Sequence, residues 1–248
     1  PISTYLPEFA DNGKADITVE QVMLHTSGFP HAPMGPAVWA TAESRRKRMA
    51  EWRLNWDPGT RYEYHPTSAH WVLAELISEV TGRPYAEEIH HRVTEPLGLP
   101  RILGIEFEQQ GGIAELTLCE GEATPDELEA VFGIRVMPPS EVIDETINRL
   151  NDAETRTIGV PGGGGYGRAV DLAAFYQALL HNHDGVWDPA MLQHAVGQVH
   201  NNLPDPMGVP ANRGRGVILA GDDGLTNRRG LGRTVSPRAF GHNGVGGQ

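Results

Sequence analysis

Residues 56–99 read WDPGTRYEYHPTSAHWVLAELISEVTGRPYAEEIHHRVTEPLGL. The stretch opens with a turn, because Pro58 fixes φ and Gly59 tolerates positive φ. Tyr62 and Tyr64 then alternate around Glu63, and Pro66 stops the run. Thr67 or Ser68 can cap a helix whose Val72, Leu73, Leu76, Ile77 and Val80 share one face. Gly82 suits the left-handed position that closes a helix, and Pro84 suits the start of the next. In that second helix Tyr85, Ile89 and Val93 recur at helical spacing until Pro96-Leu97-Gly98. The pattern places Tyr64 at the end of an ordered loop, with a helix packed behind it. The apolar residues of 69–80 also spread beyond one narrow stripe, which implies contact on more than one side and an apolar surface left exposed by this chain alone.

The 248 residues are 39% hydrophobic, enough for one sizeable core or two closely joined lobes. A net charge of −12 argues against nucleic acid and anionic membrane surfaces as partners, although a merely acidic surface accounts for it equally well. The one cysteine, Cys119, allows no internal disulfide, which fits a cytoplasmic setting without proving it. No apolar run approaches a membrane span, and nothing reads as a signal peptide. Composition leaves the oligomeric state open, and no repeat or low-complexity linker divides residues 1–248 into separate domains.

Three segments in order carry a resemblance: ITVEQVMLHTSGFP (17–30), PGTRYEY…AELISEVTGRPYAEEI…EPLGL within 58–99, and GHNGVGG (241–247). Together they resemble the serine β-lactamase and penicillin-binding-protein-like hydrolases, the class C β-lactamases and their esterase relatives. PGGGGYGRAVDLAAFYQALL (161–180) is similar to that family's glycine-rich turn and following helix, whereas residues 101–157 carry no quotable likeness. The resemblance implies an α/β (α+β) fold: a mostly antiparallel sheet flanked by helices, with a helical lobe. It also implies a domain cut at both ends, since PISTYLPEF resembles sequence from inside the domain and Gln248 follows a motif that normally continues.

Hydrolases of that family use a serine in an S-x-x-K motif heading a buried helix, the lysine taking the hydroxyl proton. Ser44-Arg45-Arg46-Lys47 has the spacing but lies downstream of the HTSG segment in a helix with no apolar face, so the nucleophile is expected outside residues 1–248. The resemblance assigns Tyr64 to the family's Y-x-N motif, where its hydroxyl would relay a proton between nucleophile and leaving group. Pro66 stands where that motif often has Asn, which weakens amide recognition more than ester recognition. His242, Asn243 and Gly244 are similar to the K-T-G or H-T-G strand motif that holds the substrate, and the Val245 N–H would be an oxyanion donor. Gly163 and Gly164 would line the cleft. A histidine in place of lysine titrates near neutrality, so its role should depend on pH.

Other signals have plainer readings. Gly162 to Gly167 contain G-x-G-x-x-G, but Pro161 interrupts the strand a dinucleotide site needs, so no cofactor is expected. His65/His70, His90/His91 and His181/His183 fit no metal-ligand spacing, and no metal is expected. Arg45 to Arg48 read as a solvated helix face in preference to an anion site. Thr18 with Gln21 forms a capping box for a helix closed by Gly28, Thr124-Pro125 with Glu127 starts another, and Ser140 caps a third. Leu172, Phe175, Tyr176 and Leu179 form one helix stripe. Val217-Ile218-Leu219 reads as a strand, and 238–246 as an edge strand broken by glycine. Residues 1–16 read as polar and turn-rich. The reading that combines these is a serine hydrolase acting on small ester or amide substrates through an acyl-serine. Its rivals are a β-lactamase or D-amino-acid peptidase and a non-catalytic ligand-binding module.

Overall fold

The computed structural model describes residues 1–117, 123–136 and 144–244. Cys119, the Ser140 cap and Val245 lie outside them. The N-terminal residues already contribute core: Ile2, Leu6 and Phe9 are buried on two short 3-10 turns, Ile2–Thr4 and Pro7–Ala10. Composition had suggested only polar turns. The Thr18–Gln21 capping box forms as read and starts α1 (Val19–Met23). Closure does not fall on Gly28. The helix ends at Leu24, and His25 takes the left-handed conformation with φ +56°. Gly28 serves a different need, because a Cβ there would lie 2.3 Å from the Trp56 carbonyl oxygen.

Two helices then build the core. α2 (Ala42–Glu51) packs on the Pro7–Ala10 turn and on α3 (Ser68–Thr81). α3 buries Ala69, Trp71, Val72, Ala74 and Leu76, while Val80 is exposed, so the buried stripe is rotated from the expected face toward Trp71. Each fully buried large side chain of this kind contributes about 1.5–3 kcal/mol. Gly82 closes α3 in the left-handed region, as expected. α4 (Tyr85–Ile89) continues into a π-helical turn, His90–Thr94, before Gly98 ends the run.

Only part of the basic run on α2 is a solvated face: Lys47 is exposed, whereas the two arginines before it turn inward. Arg45 is buried, and its Nε donates to Glu75 Oε1 of α3 at 2.6 Å with its guanidinium 5.1 Å over the Trp71 ring. Arg46 Nε donates to Glu75 Oε2 at 2.9 Å, and Arg46 Nη2 donates to Glu79. A helix with no apolar stripe is therefore anchored through charge. Lys14, also fully buried, points its ammonium at the carbonyls of Asp11, Ala50 and Trp52, and burial lowers its pKa to about 8.

The rest of the chain wraps this core. α5 (Pro125–Phe132) carries the Thr124–Glu127 capping box. α6 (Asp144–Arg149) and α7 (Ala153–Ile158) lead to the glycine-rich turn, which Tyr85 fixes by placing its hydroxyl between the carbonyls of Ile158 and Gly159. On α8 (Ala169–His181) Phe175, Tyr176 and Leu179 are half-buried, whereas Val170, Leu172 and Leu180 are exposed. α9 (Pro189–Val196) likewise exposes Met191. Four of the large exposed apolar residues thus lie on these two helices, against Val80 alone on 69–80. Beyond α9, β1 (Ile218–Leu219) pairs antiparallel with β2 (Phe240–Gly241), Ile218 opposite Gly241. Further antiparallel bridges join Asn201 to Arg213 and Arg213 to Ile218. All these pairings are antiparallel, although among the described residues helices far outweigh regular strands. Among the described residues no helix is long and apolar enough to cross a membrane.

The Glu75 pairing gives a direct stability test. Glu75→Ala strands a buried guanidinium and should lower unfolding free energy by about 3–5 kcal/mol. Glu79→Ala, which breaks a partly exposed pair, should cost no more than about 1 kcal/mol. Urea titrations of both variants check the contrast.

Candidate active site

The loop from Trp56 to Pro66 lies against residues 25–28. Asn55 N–H donates to Gly28 O, Gly59 N–H to Thr26 O, and Glu63 N–H to His25 O. His65 completes the junction. Its Nδ1 lies 2.6 Å from Glu63 O and therefore carries the hydrogen. Its Nε2 is left to accept from the Phe29 N–H at 3.2 Å and from Ser27 Oγ at 3.2 Å. The His65 N–H donates to His25 Nδ1, which fixes the tautomer of His25 as well. Ser68, at the start of α3, donates its hydroxyl to Phe29 O, and Thr67 occupies the cap position without a capping hydrogen bond.

Tyr64 emerges between these anchors. Its ring centroid is 4.5 Å from that of His25, 6.0 Å from His70 and 5.3 Å from His242. The two residues assigned by resemblance from opposite ends of the chain, Tyr64 and His242, therefore share one cluster. β1–β2 pairing delivers His242, which directly follows Gly241. Asn243, exposed next to it, packs against Gly230, where a Cβ would lie 2.8 Å from the Asn243 side-chain nitrogen. Gly244 is exposed.

The glycine-rich turn reaches the cluster through a neighbouring residue. A Cβ on Gly162 would lie 2.5 Å from Pro66 O and 3.4 Å from His70 Nδ1. Only glycine allows that approach. The Gly163 and Gly164 amides donate back to Val160 O, so these two offer no free backbone donors, and their nearest neighbours are Leu150 and Val160. Ser44 Oγ is engaged with Val38 O and Thr41, and Lys47 is exposed.

Arg213 is the member that sequence reading missed. It is 3% exposed, donates from Nε to Tyr62 Oη at 2.8 Å, and sets its guanidinium 5.0 Å over the Tyr64 ring. Nothing in ANRGRGVIL distinguishes it from Arg215, two positions on, which is half-buried. His25 and His70 were also missed, although the HTSG segment contains the first.

The electrostatics follow from burial. Desolvation pushes His25 well below the usual histidine range, and Arg213 adds to the effect. Desolvation likewise lowers His65 and His70 to about 4. His242 is lowered too, first by desolvation of the ring face held against Tyr64, with a backbone bond to Asn243 opposing. Tyr64 is raised by burial, and the Arg213 charge opposes that rise. At neutral pH the four imidazoles are uncharged, so His242 is less pH-responsive near neutrality than its residue type suggests. Among the described residues no group of three or more His, Cys, Asp or Glu side chains is placed to hold a metal ion.

A family model described as Beta-lactamase matches residues 1–248. The D-alanyl-D-alanine-carboxypeptidase/endopeptidase AmpH of Escherichia coli (strain K12) is 32% identical over 109 residues, covering 40% of this chain and 28% of AmpH. A penicillin-binding protein homolog from Caulobacter crescentus has a TM-score of 0.73 at 25% identity, covering 97% of this chain and 63% of that one. A family VIII carboxylesterase has a TM-score of 0.74 at 24% identity over 99% of this chain and 64% of its own, a likeness of fold. The match therefore spans less than two thirds of each of these proteins.

The histidine cluster makes stability depend on acidity with a definite sign. His65 and His70 titrate near 4 when folded and near 6.5 when unfolded, so the unfolded chain binds more protons between those values. Stability is fully present above about pH 6.5 and should fall as pH drops toward 4. His70→Gln should flatten that fall by about one proton's worth, read from denaturant midpoints across pH 4–7. An unchanged slope would mean that His70 does not titrate as its burial requires.

Proposed function

The chain belongs to the Beta-lactamase family, and from that premise we propose that it carries the proton-transfer and substrate-holding part of a serine hydrolase site that acts on small esters. The observation that carries the reading is the Tyr64–His242 ring contact at 5.3 Å, made by motifs from opposite ends of the chain. In this mechanism the serine oxygen attacks the ester carbonyl carbon while its proton passes to the general base. The carbonyl becomes an oxyanion that a backbone N–H, assigned to Val245, stabilises. Collapse expels the alcohol oxygen, and Tyr64 relays the proton that it takes up. Water then attacks the acyl-serine, giving the acid and restoring the serine. His242, Asn243 and Gly244 hold the acyl side, and Gly163 and Gly164 shape the opposing wall. The serine comes from outside residues 1–248, because the S-x-x-K string here has its hydroxyl committed to Val38 and Thr41.

Two features support esters over β-lactams. Pro66 offers no side-chain amide, and its carbonyl is engaged by His70 Nδ1 at 3.1 Å. His242 is neutral at pH 7 and holds a carboxylate less firmly than a lysine would. Losing one charge-assisted hydrogen bond costs about 1.5–3 kcal/mol, a factor of roughly ten to a hundred. A second reading, hydrolysis of D-amino-acid peptides, has in its favour the 32% identity to AmpH over 109 residues.

The test compares p-nitrophenyl acetate, nitrocefin and a D-alanyl-D-alanine peptide as substrates. Residues 1–248 alone should turn over none of them, and a version extended upstream to include an S-x-x-K helix should prefer the aryl ester. In that version Tyr64→Phe should lower kcat by about 10²–10⁴-fold while shifting Tm little. Unchanged ester turnover in Tyr64→Phe would remove this residue from the mechanism. Activity in residues 1–248 alone would overturn the division of the site.

A further inference from the structure

Three arginines are buried among the described residues: Arg45, Arg213 and Arg229. Arg45 is paired with Glu75 and Arg229 with Asp223. Among the described residues no carboxylate pairs with Arg213. Enclosing a guanidinium without a counter-charge is costly, so such a residue persists where its charge acts on its surroundings. Its surroundings are the candidate site: Tyr62 Oη on Nε, the Tyr64 ring under the guanidinium, and His242 Nε2 at a long 3.5 Å from Nη2.

The backbone holds Arg213 in this place. Its N–H donates to Asn201 O, its carbonyl accepts from the N–H groups of His200 and Asn201, and Asn201 Nδ2 donates to Leu24 O. The charge is thereby tied to the residue preceding His25, while the Arg213–Ile218 bridge and the Ile218–Gly241 pair tie it to His242.

We propose that Arg213 is the positioning residue of this site: its guanidinium supplies the fixed positive charge that draws Tyr64 toward its phenolate and holds His242 as a neutral hydrogen-bond acceptor. The chemistry of the donors requires the second part. A guanidinium has no acceptor, so the His242 nitrogen facing it presents a lone pair, and His242 Nδ1, 2.7 Å from Asn243 O, carries the hydrogen. The first part follows from distance, since a unit charge about 5 Å from a phenol in a poorly solvated setting shifts its ionisation by about one pH unit or more. The other groups facing Tyr64 are His25, His70, His242 and Tyr62, and none of them brings a charge at neutral pH. The motif at 242–244 thus carries a histidine that is uncharged at neutral pH, and the cation beside it arrives from a separate stretch of chain. The importance of this charge for turnover rests on the ester-hydrolase reading; the charge effect itself does not.

The experiment needs only residues 1–248 and no catalysis. Histidine ring NMR, with His242→Gln for assignment, gives the His242 tautomer and midpoint. Absorbance at 295 nm, with Tyr64→Phe as the difference reference, gives the Tyr64 midpoint. In the unaltered chain at pH 7, His242 should show the Nδ1-protonated neutral form; a protonated ring would overturn the proposal without any arginine variant. Arg213→Gln should raise both midpoints, that of His242 by about one pH unit, because removing a positive charge makes protonation easier at each. Arg213→Lys should restore most of both shifts. Unfolding would instead bring the Tyr64 midpoint down toward the ordinary phenol value, so a merely structural role moves the readout in the opposite direction. Midpoints unmoved in a folded Arg213→Gln, or moved equally by Arg213→Lys, would overturn the proposal. Failure of the ester assay alone would leave it standing.

Discussion

His65 holds together the two segments on which the rest of the site depends. Its ring is wholly enclosed, and both ring nitrogens and the backbone N–H have fixed partners: Glu63 O for one nitrogen, the Phe29 N–H and Ser27 hydroxyl for the other, and His25 Nδ1 for the backbone N–H. A side chain with one ring donor and one ring acceptor in opposite directions is required there. No amide or hydroxyl spans the same gap with the same polarity. Remove it and the loop that presents Tyr64 loses its register against the turn that presents His25. α3 depends on the same junction, since Ser68 donates to the carbonyl of Phe29.

Local grammar was legible in the sequence wherever one short segment sufficed to determine the structure. Both capping boxes and the left-handed Gly82 depend on neighbours within a few residues. The Tyr64–His242 proximity was legible for a different reason, the order of three motifs similar to those of one family. What escaped was set by partners distant in sequence. The basic run of α2 looked solvated because Glu75, which neutralises it, lies on the next helix. Gly28 was read as a helix stop, whereas its glycine is demanded by the Trp56 carbonyl and the left-handed turn falls on His25. Val80 followed the helical period but lies past the end of the buried surface. Arg213 had no local signal at all. Its significance is the absence of a carboxylate, and a missing partner cannot be read from a string of residues.

Two of the buried charge arrangements illustrate different solutions to one problem. Glu75 gathers two guanidiniums from a neighbouring helix and makes a tight, self-contained anchor. Around Tyr64 the polar groups are instead four uncharged imidazoles, two phenols and one cation without a counter-ion. The first arrangement resists change in its surroundings. The second leaves electrostatic work undone, which an incoming or reacting group can complete.

The ribbon that delivers His242 is thin. β1 and β2 are two residues each, extended by the Ala220 N–H to Ala239 O and the Gly221 N–H to Pro237 O. Trp71 and Val72, by contrast, lie within the fourteen-residue α3 at the centre of the core. Backbone amides in so short a ladder exchange with solvent through local fraying, at a free energy well below that of global unfolding. The candidate site is therefore a seam between a hard half, built on α3 and His65, and a soft half that can part from it while the core stays intact. How tightly the site is assembled is then an equilibrium of its own, separate from whether the protein is folded.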